Sequence, residues 1–366
     1  MNKYTIARAV LAFSLAVSLI LQPANSPTVS ADGAVRRVVP GGSGDPACGG
    51  GWNLASPNPA LRPCDLQTAL DTSAMLDEIW VAEGVYIPSK LTDPADPRTA
   101  TFKLPVGGPN YDGVALYGGF AGTETTLQQR DWIRHITALS GDLDRNDLHR
   151  PAATVTDIQG ANAYHVVKIS GASDATVLDG FTISGGVADD HMSEIAERGL
   201  GGGIYNNGGH PTLRSLVIQG NTADLGGGVF NEVGYPTLTN ILFRSNTALL
   251  GGGMHNVGAA PALTNVTFYG NSAASSGGAL FNAGVDMESD PLYPLLTNVT
   301  LVANSAGEYG GAIENRTSHL VFANSILWGN TPDQINNNVD INPNVSLTLR
   351  DSLIEDDCPE YTTCED

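Results

Sequence analysis

Lysine is scarce in this chain, and its distribution is uneven. Four occur in 366 residues (Lys3, Lys90, Lys103 and Lys168), and none follows position 168. Against 38 acidic residues stand 18 basic ones, a formal charge of -20. A surface this acidic repels nucleic acid and anionic membrane, which excludes both as partners. Apolar runs are equally sparse. Beyond the first 31 residues no stretch is long enough to span a bilayer. Cysteine is limited to Cys48, Cys64, Cys358 and Cys364 with no CxxC, which argues against zinc and dithiol redox motifs. No G-x-S-x-G occurs, so the nucleophile elbow of the serine hydrolases is absent.

What is present begins with an export pattern. Lys3 and Arg8 precede an apolar run from Ala9 to Leu21, followed by Pro23 and small residues ending at Ala31. Residues 1–31 therefore read as a secretory signal, cleaved after Ala24 or Ala31, and the mature chain is expected outside the cell. In that compartment the four cysteines are expected to pair. Local pairs 48–64 and 358–364 would pin the two ends of the molecule, although sequence leaves the connectivity open. Residues 32–64 are rich in Gly, Pro and Asp and read as linker and N-terminal cap. Asp65 then has the chemistry of a helix N-cap, with Leu66, Ala69 and Leu70 on one face of a short lid helix. Residues 65–200 hold irregular strands and loops, and residues 331–366 form a C-terminal cap.

The stretch 201–330 is one phrase written five times. Glycines and a hydrophobic-x-Asn triplet recur as GGGIYN, GGGVFN, GGGMHN, GGALFN and GGAIEN. The triplets end at Asn206, Asn231, Asn256, Asn282 and Asn315, in steps of 25, 25, 26 and 33. A second column stands at Asn221, Asn246, Asn271, Asn304 and Asn330, in steps of 25, 25, 33 and 26. A fixed period in this range marks a solenoid. Three residues before the second asparagine stand Ile218, Phe243, Phe268, Leu301 and Leu327, and five before it Leu216, Ile241, Val266, Val299 and Ser325. That alternation is a strand with one buried face. The intervening column, four before, is mixed (Val217, Leu242, Thr267, Thr300 and Ile326), and two before stand Gln219, Arg244, Tyr269, Val302 and Trp328. Eight before it the column is apolar again, from Leu213 to Phe322, and the odd offset requires a corner near Ser215, Asn240, Asn265, Asn298 and Asn324. Gly-Gly pairs would cost a helix about 1 kcal/mol per glycine, so helical repeats are disfavoured. The fold class read from this pattern is an all-β, single-chain, right-handed parallel β-helix with a short N-terminal capping helix. Its asparagines would form ladders of side-chain amides, windings roughly 4.8 Å apart.

Those residues carry a resemblance. The pairing of Gly310-Gly311-Ala312-Ile313 with Phe-x-x-Asn-[Ser/Thr]-Ala (243–248 and 268–273) resembles the polymorphic outer membrane protein repeat. More broadly, EIWVAEGVYIP, YGGFAGTET, LSGDLDRND, AYHVV and VLDGFTISGG resemble secreted bacterial β-helix proteins of the pectin-lyase-like superfamily, over residues 78–328. The resemblance implies an adhesin-like role. Such adhesins also carry an outer-membrane barrel, and here residues 331–366 are all that follow Asn330.

Four groups of residues are candidates for function. Asp142, Asp144 and Asn146 place oxygens at alternate positions, with Asp157 to complete a shell from the next segment, which suits calcium, the one cofactor the sequence suggests, or else an Asx turn. The loop bearing Asp189, Asp190, His191, Glu194 and Glu197 interrupts the coils, as does an insertion with Asp286, Glu288 and Asp290. Tyr205, Phe230, His255 and Phe281 precede the first asparagines and should face away from the core. There they would form an exposed ladder for sugar rings or a protein, or stack on one another. Catalysis is less well supported. The repeats offer only Arg214, Arg244 and Arg316 as bases, and the NTD, GHG and RIK patterns of polygalacturonases are missing. The expected function is a non-catalytic, monomeric surface-interaction module for an extracellular polysaccharide or cell-surface protein. The alternative is a polysaccharide lyase or glycoside hydrolase.

Overall fold

Left-handed backbone occurs where the apolar alternation breaks step. Ser215, Asn240, Asn265, Asn298 and Asn324 have φ between 51° and 56°. Turning there sends both flanking columns inward, and Leu213, Leu216, Leu238, Ile241 and Val266 are all fully buried. A second corner precedes the second asparagines, at Gly220, Ser245, Gly270, Ala303 and Gly329, with φ from 53° to 64°. The third lies at the glycines that open each repeat, Gly201, Gly226, Gly251, Gly277 and Gly310, with φ from 61° to 71°. Glycine is needed there for space as well as φ. A Cβ on Gly251 would lie 2.5 Å from the Met254 carbonyl oxygen, and one on Gly277 2.7 Å from that of Leu280.

A computed structural model describes residues 33–104, 112–190, 196–284, 294–316, 319–337, 346–355 and 362–365. Residues 1–31, read above as a secretory signal, and His191, Glu194, Asp286, Glu288, Asp290 and Cys358 lie outside these. Among the described residues the strands form parallel sheets of 18, 8 and 5 strands. One winding passes through the eight-stranded sheet (Ile204–Asn207) and visits the large sheet twice (Thr212–Arg214, Val217–Gln219). It then enters the five-stranded sheet (Thr222–Leu225) before rising one level. Parallel crossovers of this kind wind right-handed, and the fold is a right-handed parallel β-helix. Register is strict: Asn206, Asn231, Asn256, Asn282, Asn315 and Asn337 face one another on successive windings. Inside runs one continuous apolar core, in which Phe243 and Phe268 stack with centroids 4.5 Å apart.

The second asparagine column is bonded at every step. Each Nδ2 donates to the next Oδ1 at 2.9–3.0 Å. The same oxygen accepts the backbone N–H one winding below, and each Nδ2 donates again to a core carbonyl, as Asn246 does to Ile218 at 2.8 Å. The first column is bonded at 2.7–3.1 Å from Asn206 to Asn282 and again from Asn315 to Asn337. Between Asn282 and Asn315 the strands stay in register, but Asn282 Nδ2 has no hydrogen-bond partner among the described residues.

The N-terminal end departs from its reading as a linker. Val35–Ser43 is a strand, pairing with Glu78–Ala82. The Arg36-Arg37 pair and Pro40-Gly41-Gly42 break the apolar alternation that would have announced it. Over this first coil lies α1 (Leu66–Thr72), whose N-cap Asp65 accepts from Thr68 N–H at 2.9 Å. Seven residues are too few for a helix to persist alone, and Leu66, Ala69 and Leu70 hold it by burial in the core. Cys48 and Cys64 are bonded. Cys364 is disulfide-bonded as well. At the other end Thr362–Glu365 adds a strand to Ser346–Arg350.

Replacing Asn246 with Ala strands two buried donors on Asn221, each worth about 1–3 kcal/mol. Asn246→Ala should therefore cost about 3 kcal/mol and lower the chemical-denaturation midpoint. Asn240→Gly, at a corner that glycine adopts freely, should stay within about 1 kcal/mol of the parent.

Candidate functional site

The outward residues of the eight-stranded sheet run Lys168, Tyr205, Phe230, His255, Phe281 and Glu314 in register. They face away from the core, as the alternation requires, but they are not exposed. Tyr205, Phe230, His255 and Phe281 retain 2–4% of their surface, which corrects the expectation of an open aromatic platform. Two causes act together. The rings stack along the axis, His165 on Tyr205, then Phe230, His255 and Phe281, at 4.5–6.1 Å between centroids. The glycine corners also fold their backbone against the ring residues, so that a Cβ on Gly251 would sit 2.9 Å from that of His255. Cations close the column, Lys168 over Tyr205 at 5.5 Å and Arg316 over Phe281 at 4.9 Å. Burial pushes the imidazoles of His165 and His255 down to about 4, and His255 Nδ1 has no partner among the described residues.

The acids proposed for calcium are held by the chain itself. Asp142 is fully buried and accepts the N–H groups of Asn146 and Asp147. Asp144 accepts from Ala161, and Asp157 accepts from Ala153 and Thr154 and pairs with His149 at 2.7 Å. Asn146 and Asp144 crowd Gly160, where a Cβ would meet their side chains at 2.4 and 2.9 Å. These are Asx-turn and capping contacts whose oxygens point to separate donors. No group of three or more His, Cys, Asp or Glu side chains suited to a metal occurs among the described residues.

The loop acids are likewise engaged. Arg98 pairs with Asp189 at 2.7 Å, Arg198 with Asp93 and Asp96 at 3.0 and 3.2 Å, and Lys168 with Glu197 at 2.7 Å. Tyr164 lies between the two guanidinium groups, 4.2 Å from Arg98 and 5.4 Å from Arg198. Of the repeat arginines, Arg244 binds Gln219 and Arg316 binds Glu314. Arg214 belongs to a centre that sequence did not reveal. Asp179, fully buried, lies 2.7 Å from Arg130 and 3.4 Å from Arg214. Those contacts are ionic and outside hydrogen-bond alignment, since neither carboxylate oxygen has a hydrogen-bond partner. Arg130 also covers Tyr117, and a second apolar cluster of Trp80, Tyr117 and Phe120 packs outside the barrel beside it.

One outward column stays open. Gln219, Arg244, Tyr269, Val302 and Trp328 lie in register on the large sheet. Gln219 is buried and donates to Ala152 of the overlying loop, and Arg244 closes that edge. Beyond it the face opens. Tyr269 is 40% exposed, Val302 and Trp328 are partly exposed, and Leu353 is 45% exposed. The column was visible in the sequence, but its varied composition gave no sign that part of it would stay exposed.

Residues 265–283, from the corner at Asn265 through one ring of the buried column, match the Chlamydia polymorphic membrane protein repeat. A solved structure of similar extent is the pectin methylesterase from Aspergillus niger in penultimately deglycosylated form. It is 12% identical, has a TM-score of 0.38, and aligns over 93% of this chain and 92% of its own. No curated protein matches the sequence.

Both buried histidines are neutral when folded and take up a proton more readily when unfolded. Stability should therefore fall as pH drops from 6.5 towards 4, by about 3 kcal/mol for each ring. His255→Phe keeps the stack and removes one titration, so its melting temperature should decline less steeply over that interval than the parent's.

Proposed function

We propose that this protein is a secreted, non-catalytic β-helix that binds extended neutral polysaccharide along the outer face of its large sheet. The observation that carries this reading is the open column Tyr269–Val302–Trp328. Its members stand on three successive windings, so the two aromatic rings are roughly 10 Å apart along the axis. A pyranose buries its C–H face against such a ring while its hydroxyls stay in water. A formal charge of -20 disfavours polyanions and favours an uncharged chain. The Cys48–Cys64 disulfide supports an oxidising, extracytoplasmic location.

A carbohydrate-active enzyme is the second reading, and Asp179 with its two arginines favours it as a place where acid and base converge. A fully buried carboxylate in contact with two guanidinium groups acts first as a structural ion cluster, however, and substrate would have to displace Arg130 to reach it.

Affinity electrophoresis against neutral and acidic polysaccharides separates the two readings. Retardation by a neutral polymer is expected, unchanged by chelator and without reducing ends, unsaturated products or released methanol. Tyr269→Ala and Trp328→Ala should each weaken it about tenfold, or about 1.4 kcal/mol, with unaltered circular dichroism. Product formation abolished by Asp179→Asn would establish the enzyme instead.

A further inference from the structure

Beneath the loop that covers the large sheet lies a pocket lined by oxygens, two of them without partners. Its floor is the outward column on the near side of Gln219, where Ser184 stands in register with Ser140 and Gln219. Its wall is the start and return of the loop, where Asp142 and Asn162 face each other across an antiparallel bridge. Residues paired in this way carry their side chains on one face, with Cβ atoms about 5 Å apart. Asp147 closes the group, since a Cβ on Gly185 would lie 3.2 Å from its Oδ2. Asp142, Asp147, Asn162 and Ser184 are all shut off from solvent, at 0%, 6%, 1% and 0% exposure.

Asn162 Nδ2 donates to the Gly185 carbonyl at 2.7 Å and to Asp147 Oδ2 at 3.3 Å. Both are acceptors, so the amide's orientation is fixed and the atom left over is its oxygen. Asn162 Oδ1 and Ser184 Oγ have no hydrogen-bond partner among the described residues, and a buried acceptor left unmet is costly. The charges point the same way. Asp157 has His149 as a partner, whereas Asp142 and Asp147 are held by N–H groups, those of Asn146 and Asp147 on the first and that of Gln159 on the second. One N–H on each oxygen leaves a carboxylate with lone pairs to spare. Burial pushes the Asp147 carboxyl up, and the charges of Asp142 and Asp157 add to that push. A water would satisfy Asn162 and Ser184 but would leave the two buried carboxylates without a counter-charge. The donors are carboxylates, an amide oxygen and a hydroxyl, an all-oxygen set that suits a hard cation. Calcium tolerates such irregular geometry, where magnesium demands a near-ideal octahedron.

We propose that the carboxylates of Asp142 and Asp147, with Asn162 Oδ1 and Ser184 Oγ, form a structural calcium site that fastens the loop 141–162 to the large sheet. Only Asp142 is shared with the set expected from alternate spacing. Asp144 is exposed and accepts from Ala161, and Asp157 caps Ala153 and Thr154. The site lies under the loop and apart from the open column, so it does not depend on the polysaccharide reading.

Metal analysis and scanning calorimetry of the full-length chain test it. Dialysed out of calcium buffer, the chain should retain one calcium per molecule, and EGTA should lower its melting temperature by roughly 5 °C. Asp147→Asn keeps an acceptor for Gln159 and removes one charge. It should bind calcium at least about tenfold more weakly and melt at the same temperature with and without chelator. Asp144→Asn should keep the parent's metal and its response. A parent with no retained metal and no chelator shift would overturn the site and leave a buried water only. A full shift in Asp147→Asn would overturn it too, and restoration by magnesium as effective as by calcium would overturn the choice of ion. Should Asp147→Asn fail to fold, the parent's metal content and chelator shift decide the matter.

Discussion

A side-chain amide can donate two hydrogen bonds and accept two, and the column from Asn221 to Asn330 uses them at every step. The geometry closes only if each asparagine lies directly above the last, which makes the amide column a register lock as well as a source of stability. Everything else in the fold presupposes that lock. Leu213 meets Leu238 and Phe243 meets Phe268 because the asparagines beside them cannot slip by a residue. Buried polar groups are costly when unpaired and inexpensive when saturated, so the column favours one register over its neighbours more strongly than apolar stacking could.

The glycine corners translate that register into surface. By bringing backbone against Tyr205, Phe230, His255 and Phe281, they convert an outward column into an outer core, apolar and nearly dry. Tyr235, Tyr269 and Tyr309, by contrast, reach solvent, at 41%, 40% and 51% exposure. Exposure on this β-helix is thus decided by what crosses over a column, and the side chain's own direction settles only half the question.

Charge follows a similar logic. The chain is strongly acidic, yet the carboxylates with the most suggestive spacing serve as acceptors for backbone N–H groups, as Asp142 and Asp157 do, or as partners for arginine, as Asp179 does. Such acids position loops against the coils. The loop anchored by Asp142 and Asp157 covers the large sheet as far as Gln219, and its end is where the open face begins.

The repeat period, the corner at Ser215 and its equivalents, the asparagine ladders and the helix cap at Asp65 were all legible in the residues. Each depends on local backbone chemistry or on a fixed spacing that the coil turns into contact. The strand Val35–Ser43 was not legible, because Arg36 is accommodated by Asp77 and Thr72 and Arg37 by the rings of Trp52 and Trp80, partners that its own local pattern does not announce. Nor was the ion cluster at Asp179, whose partner Arg130 is 49 positions away. The fate of the ring column likewise lay beyond the sequence. Periodicity reports which way a side chain points, and only the packed molecule determines what then lies on top of it.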